Sequence, residues 1–332
     1  MKCIVTGATG HIGNVLVKKM LEQNIDVSVF VLKNEKINSL DGLNVEYFYG
    51  DVRDLHSLEI AFTGMDQVFH LAGIIEIGSG NKRLVREVNV NGTKNVIAAC
   101  KSQKVKRLIY TSSVHAIAEK PNCEIISETM EFDPKFVKGI YAKTKAEATS
   151  FVLSANDDFL ETIIVHPSGV IGPYEYLKSN LGQLIEDCAN KKIAAYVGGG
   201  YNFVDVRDVA DGIIQASQKG MPGECYILAG HKVSVKELMK YVEEITGVKA
   251  PTFKLARWFA FATGAFAELY SKIVKQKPLF TSYAIYTLGT NCNFSIEKAK
   301  TQLGYSIRDI KDTLRDTVDW LEENHKLSIK YK

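Results

Sequence analysis

Tyr141 and Lys145 stand four residues apart in Tyr141-Ala142-Lys143-Thr144-Lys145. On a helix that spacing puts both side chains on one face. An ammonium beside a phenol favours the phenolate, so the pair predicts a tyrosine pKa below its usual ~10. Such a tyrosine can exchange a proton with a substrate hydroxyl or carbonyl near neutral pH. Tyr-x-x-x-Lys also recurs on helices with no chemistry, so the pair needs company. The chain begins with some: Thr6-Gly7-Ala8-Thr9-Gly10-His11-Ile12-Gly13. The apolar run Cys3 to Val5 reads as a buried strand, and Ile12, Val15, Leu16 and Met20 recur at helical spacing. A strand running through a glycine turn into a helix presents backbone N–H groups and a positive dipole end to an anion. Gly7 makes the tight turn, Gly10 lets the backbone approach a pyrophosphate, and Gly13 lets helix and strand pack closely. A glycine triplet alone is a weak signal; its place between the first strand and the first helix strengthens it.

The elements that must position these groups alternate. Strands are expected at Asp26 to Leu32, Val45 to Tyr49, Gln67 to Leu71, Arg107 to Thr111, Glu161 to Val165 and Glu224 to Ala229. Helices are expected at Leu55 to Phe62, Lys82 to Gln103, Ile140 to Ala155, Leu181 to Lys191, Val209 to Gln218 and Ile310 to His325. Another opens at Ser234 with a capping box to Glu237 and runs to Thr246. This pattern predicts an α/β fold: a Rossmann-type doubly wound parallel sheet with a smaller C-terminal substrate-binding lobe. Residues 1–166 and 203–231 read as the dinucleotide-binding domain, and 167–202 and 232–332 as the substrate-binding lobe. The polar clusters, among them Gly50-Asp51-Val52, His70-Leu71-Ala72-Gly73, Ser112-Ser113 and His166-Pro167-Ser168-Gly169, sit at carboxyl ends of strands, where such sheets bind ligands.

Composition bounds the function. The 332 residues are 46% hydrophobic and 24% charged, enough for one large core or two lobes. A formal net charge of +3 implies no strong field toward nucleic acid or membrane. The six cysteines lack any C-x-x-C pairing, so neither a metal site nor a disulfide framework is expected. Reduced thiols and a first strand that starts at the N-terminus suggest a cytoplasmic protein with no signal peptide. Leu255 to Val274 is the most apolar stretch, but Arg257, Glu268 and Lys272 interrupt it. It reads as a helix of the substrate lobe rather than a membrane span, with contact to a membrane surface the lesser alternative.

Taken in order, Thr6-Gly-x-x-Gly-x-x-Gly13, Gly50-Asp51-Val52, His70-Leu-Ala-Gly73, Asn89-x-x-Gly-Thr93, Ser112-Ser113 and Tyr141-x-x-x-Lys145 resemble the extended short-chain dehydrogenase/reductase family. The resemblance spans essentially the whole chain and includes Leu303-Gly304-Tyr305. His166 to Pro173 and Val204 to Val209 look most similar to the branch of dihydroflavonol reductase and 3β-hydroxysteroid dehydrogenase. The resemblance implies Tyr141 as acid/base, Lys145 as the lysine that holds the nicotinamide ribose, and Ser113 as the serine at the substrate oxygen, with Ser112 the competing choice. It implies a nicotinamide dinucleotide held by Gly7, Thr9, Gly10, His11, Ile12, Gly13, Asp51, Val52, Leu71, Ala72, Gly73, Pro167, Ser168 and Val170, besides Tyr141 and Lys145. Asn89 matches the structural asparagine of the central helix.

Plainer readings stand beside several of these. Asp51 could cap the helix that begins near Leu55, and Ser112 and Ser113 could be turn formers. Asp208 reads as a helix cap and His166 as a packed residue. Cofactor preference turns on the end of the second strand, where a carboxylate binds a ribose 2′-hydroxyl and repels a 2′-phosphate. No carboxylate occurs there before Glu35, and Lys33 could pair with a 2′-phosphate; NADP is modestly preferred over NAD. The implied reaction is hydride transfer to or from a carbonyl or alcohol carbon. Phe253, Trp258, Phe259, Phe261, Phe266, Tyr270, Phe280, Tyr283 and Tyr286 favour a hydrophobic substrate over a sugar nucleotide, although aromatics are more often core. Epimerisation or dehydration of a nucleotide sugar is the alternative. A cofactor sensor without catalysis is disfavoured by the intact Ser113, Tyr141 and Lys145. The resemblance also implies a homodimer, with Val96, Ile97, Phe151 and Val152 as candidate interface residues that could instead face the sheet.

Overall fold

Val5 and Thr6 of the first strand are wholly buried, and so are Val29 in the second and Ile109 in the fifth. Runs of this kind form parallel strands covered on both faces, because each residue of the run meets a helix layer. A computed structural model of the chain describes residues 1–76, 80–122, 124–261 and 282–328. In chain order the elements are β1 (Lys2–Thr6), α1 (His11–Glu22), β2 (Asp26–Val31), β3 (Glu46–Tyr49), α2 (Leu55–Phe62), β4 (Gln67–His70), α3 (Lys82–Arg86), α4 (Thr93–Ser102) and β5 (Arg107–Thr111). There follow α5 (Ile140–Ser154), β6 (Glu161–Pro167), β7 (Gly169–Ile171), α6 (Asn180–Ala189), β8 (Ala195–Val197), β9 (Gly200–Asp205) and α7 (Val206–Lys219). The remainder are β10 (Glu224–Leu228), β11 (His231–Ser234), α8 (Val235–Thr246), β12 (Phe253–Leu255), α9 (Ser282–Thr287) and α10 (Ile310–Glu323).

Seven strands form one parallel sheet in the order β10-β6-β5-β4-β1-β2-β3. The order reverses at β1, so β2 and β4 flank it and their following chains leave in opposite directions. That switch point opens a crevice beyond the carboxyl ends of β1 and β4. Thr6 pairs with Phe30 on one side and His70 on the other, which sets Gly7 against Leu71 across the crevice. One face of the sheet is packed by Leu58, Phe62, Val96, Leu108 and Tyr110. The other is packed by Leu16, Met20, Ile109, Val209 and Ile213. Leu16 has no exposed surface, and truncating such a leucine to alanine costs roughly 2–5 kcal/mol.

The structure departs from the sequence reading in four places. Lys82 to Gln103 is not one regular α-helix: α3 and α4 are joined by a π-helical turn over Glu87–Gly92. A second sheet, β11-β9-β7, was not expected, because strands of three to six residues offer too little alternation to read. The expected helix at Leu255 begins instead as β12, paired with β8, and turns helical over 257–261. The rest of that stretch, including Phe266, Glu268, Tyr270, Lys272 and Phe280, lies outside the described residues. Finally, Val96 and Val152 are wholly buried in the core beneath the sheet. They are packing residues, and only Ile97 and Phe151 keep partial exposure. Among the described residues no helix is long and apolar enough to cross a membrane, and no cluster of His, Cys, Asp or Glu is arranged to hold a metal ion.

Candidate active site

The glycine turn is built by close approach. Gly7 has φ +72°, and a Cβ there would stand 2.6 Å from Ala72 N. A Cβ on Gly13 would stand 2.1 Å from Gly7 O, so α1 can lie against β1 only without one. Gly10 is the N-cap of α1 and no side chain caps that end. Its first-turn N–H groups are therefore available to an anion, and the residues fit a dinucleotide pyrophosphate at this point. Ile12 packs partly buried on the core behind. His11 is turned toward the chain leaving β7, with Nε2 2.9 Å from Pro173 O. Burial holds its pKa below the ordinary value.

At the edge of β2, a carboxylate has returned to the loop. Glu35 accepts a hydrogen bond of 2.6 Å from Thr9 Oγ1 and one of 3.2 Å from Leu32 N. Glu35 is the first carboxylate past the strand, four residues beyond Val31, and it reaches back because the chain folds over there. Lys33 beside it is exposed. Asp51 does not cap α2; Asp54 does, accepting from His56 N. Asp51 instead takes Arg53 in a fork of 2.6 to 3.1 Å, and the Arg53 guanidinium holds its carboxyl below the usual range. Val52 is buried against Gly92, and its carbonyl accepts from Asn95 at 3.0 Å. Leu71 N and Ala72 N both donate to Thr6, at 3.1 and 3.3 Å, so Leu71, Ala72 and Gly73 line the crevice beside the glycine turn.

Tyr141 lies in the first turn of α5 and Lys145 one turn on, both on its buried side. Burial pushes the phenol up to about 12, while the Ser113 hydroxyl beside it pulls the other way. The direction is opposite to that expected from the four-residue spacing. The reason is geometric: the Lys145 ammonium donates to Thr111 O at 2.8 Å and lies 3.4 Å from the Tyr110 hydroxyl. Burial also lowers Lys145 to about 7, which weakens its charge at neutral pH. The two neighbouring serines are separated by their bonds. Ser112 Oγ is paired with Thr149 Oγ1 on the buried side of α5 at 2.6 Å. Ser113 Oγ accepts from His115 N at 3.2 Å, on the Tyr141 side. The π-helical turn carries Asn89, whose side-chain amide bonds Ile74 N and O at 2.8 and 3.0 Å and Thr144 Oγ1 at 3.1 Å. It thereby fixes α5 against the chain leaving β4.

Pro167, Ser168 and Val170 lie where β6 passes into β7. Ser168 Oγ donates to Asn202 Oδ1 at 2.8 Å, and Val170 pairs with Val204. His166 is packed: Nδ1 lies 3.0 Å from Ser113 O, and the ring stacks on Phe132 at 5.3 Å. Asp208 does not cap α7. Asp205 does, while Asp208 accepts from Arg308 N at 2.8 Å.

Sequence reasoning missed His115 and Tyr201, and named Tyr283 only as one of the aromatics favouring a hydrophobic substrate. Tyr201 Oη lies 2.8 Å from His115 Nε2 and Tyr283 Oη 3.2 Å from Nδ1. For His115 the sequence signal was its place two residues after Ser113. These groups line a cavity of about 30 Å³ with walls of Val114, Ile117 and Ala142. It adjoins a cleft of about 390 Å³ bounded by Pro121, Lys138, Arg257, Phe261, Ile285 and Tyr286.

Residues 4–224 match the model of the 3-beta hydroxysteroid dehydrogenase/isomerase family. Sterol demethylase protein B of Methylococcus capsulatus is 29% identical over 97% of this chain and 99% of its own. A putative dihydroflavonol 4-reductase of Synechocystis is 29% identical over 97% of this chain and 94% of its own. The crystal structure of gox2253 superposes with a TM-score of 0.86 at 31% identity, over 98% of this chain and 99% of that one. A nucleoside-diphosphate-sugar epimerase from Pseudomonas aeruginosa shares the fold, with a TM-score of 0.78 at 22% identity over 99% of both chains.

Proposed function

Since the chain belongs to the 3-beta hydroxysteroid dehydrogenase/isomerase family, within the extended NAD(P)-dependent short-chain dehydrogenases/reductases, we propose that it interconverts a carbonyl and an alcohol on a largely hydrophobic substrate. The observation that carries this reading is the convergence of the Ser113 and Tyr141 hydroxyls beside a cavity lined by apolar side chains such as Val114, Ile117 and Phe294 together with His115, Tyr201 and Tyr283. A bound nicotinamide supplies the hydride donor or acceptor. Ser113 donates a hydrogen bond to the substrate oxygen, and Tyr141 gives or takes the proton at that oxygen. With a phenol held near 12, Tyr141 is protonated at neutral pH and suited to give a proton to a nascent alkoxide. Lys145 lies buried one helical turn away with its ammonium on Thr111 O, placed to hold the nicotinamide ribose. Gly7, Gly10 and Gly13 would seat the pyrophosphate, and Leu71, Ala72, Gly73, Asp51 and Val52 the adenosine.

The cofactor's ribose would meet Glu35, because Thr9 ties that carboxylate to the glycine turn. A carboxylate there favours a free 2′-hydroxyl over a 2′-phosphate. It outweighs the exposed Lys33 and supports NAD as the preferred form. The names of two relatives, a sterol demethylase and a dihydroflavonol reductase, support a ring-bearing hydroxy or keto compound as substrate. Two of the cleft's three cations are engaged within the chain and do not read as a free diphosphate site: Lys138 sits 4.5 Å over the Tyr286 ring and Arg257 lies across Gly289, while Lys120 has only a long 3.5 Å contact to Ile125 O. The experiment is a screen of cyclic ketones with NADH and NADPH. Cofactor consumed in step with alcohol formed is the expected result. Conversion of a UDP-hexose with no net change in cofactor would replace this reading with epimerisation.

A further inference from the structure

Two tyrosines from outside the central sheet close on one imidazole. His115 lies in the short turn after β5, with its N–H on Ser113 Oγ. Tyr201 comes from β9 and stacks on the imidazole at 5.7 Å; Tyr283 comes from α9 and tilts against it at 5.9 Å. Tyr141 stands edge-on to the same ring, with centroids 6.0 Å apart. Room for Tyr283 is made at the start of α5: Gly139 has φ +86°, and a Cβ there would stand 2.5 Å from the Tyr283 ring. The arrangement is therefore built into the catalytic helix as well as the second lobe.

Counting donors shows what is left over. Burial keeps His115 near 4, so at neutral pH its ring has one N–H and one bare nitrogen. One tyrosine must donate to the bare nitrogen, and the other must accept from the N–H. The accepting tyrosine keeps its own hydroxyl hydrogen, and the donating one keeps its oxygen lone pairs. Among the described residues neither hydroxyl has a further hydrogen-bond partner. Both line the cavity next to Tyr141, which has the volume that one polar group fills.

We propose that Tyr201 and Tyr283, tethered through His115, anchor a second oxygen of the substrate, a hydroxyl or carbonyl on a carbon neighbouring the reacting one. The anchor orients that substrate against Tyr141 and selects it over a plain ketone. It rests on the carbonyl–alcohol reading above and deepens it. A merely structural tie between β5, β9 and α9 would affect stability without changing substrate choice.

The test is binding of 1-tetralone and 2-hydroxy-1-tetralone to the NADH-loaded protein by titration calorimetry. The hydroxyketone should bind about five- to ten-fold more tightly, the worth of one good neutral hydrogen bond. Tyr201→Phe and Tyr283→Phe each remove one oxygen and keep the ring; each should bring the two ketones toward parity, and either variant alone suffices if the other does not fold. Parity in the unaltered protein, binding of neither ketone, or a preference that survives both substitutions overturns the anchor. NADH affinity is read in the same titrations. Parity with NADH still bound removes the anchor and leaves the oxidoreductase reading; absence of NADH binding removes both.

Discussion

Glu35 accepts a 2.6 Å hydrogen bond from Thr9, which ties the chain beyond β2 to the middle of the glycine turn. The consequence is a negative charge at the edge where the adenosine ribose would lie. Glu35→Gln should narrow the preference for NADH over NADPH, and Glu35→Arg should reverse it. Dissociation constants from nicotinamide fluorescence check this. A roughly ten-fold change in the ratio is expected for loss of one charge-assisted contact. An unchanged ratio in both variants would move the ribose elsewhere.

Gly13 is the steric test of the turn. A Cβ at that position would stand 2.1 Å from Gly7 O and 2.8 Å from Ala8 Cα, both backbone atoms with little room to move. Gly13→Ala should lower the unfolding free energy by about 1–3 kcal/mol, as overpacking does, and weaken dinucleotide binding with it. Chemical denaturation and cofactor titration read the two effects. Full stability in the variant would contradict the close packing of α1 on β1.

Acid should destabilise the fold through its buried imidazoles. Burial lowers His70 to about 3 and His115 and His166 to about 4, against an unfolded value near 6.5. Between those values the unfolded chain binds more protons than the folded one, so stability falls as pH drops from 6.5 toward 4. His70 is wholly buried between Thr6 at 2.8 Å and Thr93 at 3.1 Å. His70→Gln should reduce the acid slope, measured from denaturation midpoints across that window. An unchanged slope would show that His70 does not titrate as a buried neutral group.

Lys145 has the opposite pH range. Its folded value near 7 lies below the ordinary 10.5, so above pH 7 the unfolded chain again binds more protons. Stability contributed by this site therefore rises from pH 7 toward 10.5, and below 7 the full cost of burying the charge is present. Between pH 7 and 8.5 the unaltered protein should gain in melting temperature relative to Lys145→Met, a comparison in which the titration of the cysteines cancels. A constant difference would show that Lys145 keeps its ordinary basicity.

Much of this was readable in the residues because it is local. Gly7, Gly10 and Gly13 mark a turn by their spacing, and Val5, Val29 and Ile109 lie in apolar runs that only a doubly covered strand explains. Tyr141 and Lys145 share a helix, so their proximity follows from four residues of separation. What the spacing could not supply was direction. The Lys145 ammonium goes to Thr111, a strand away, and the phenol rises because it is buried. The contacts of Glu35, His115, Tyr201 and Tyr283 were unreadable for a related reason. Each is made across the fold, with partners 26, 86 and 168 residues away. The small sheet of β7, β9 and β11 was missed because its strands are too short to show a period.

The central claim is that Tyr141 carries the proton in a carbonyl–alcohol interconversion. Tyr141→Phe deletes one oxygen from a buried ring and leaves the cofactor crevice otherwise intact. With whichever ketone the screen identifies, steady-state turnover measured by NAD(P)H consumption should fall by about 10²–10⁴-fold, the range for loss of a general acid. NAD(P)H dissociation constants should stay within a few-fold. Turnover retained in Tyr141→Phe, with the cofactor bound normally, would contradict the account.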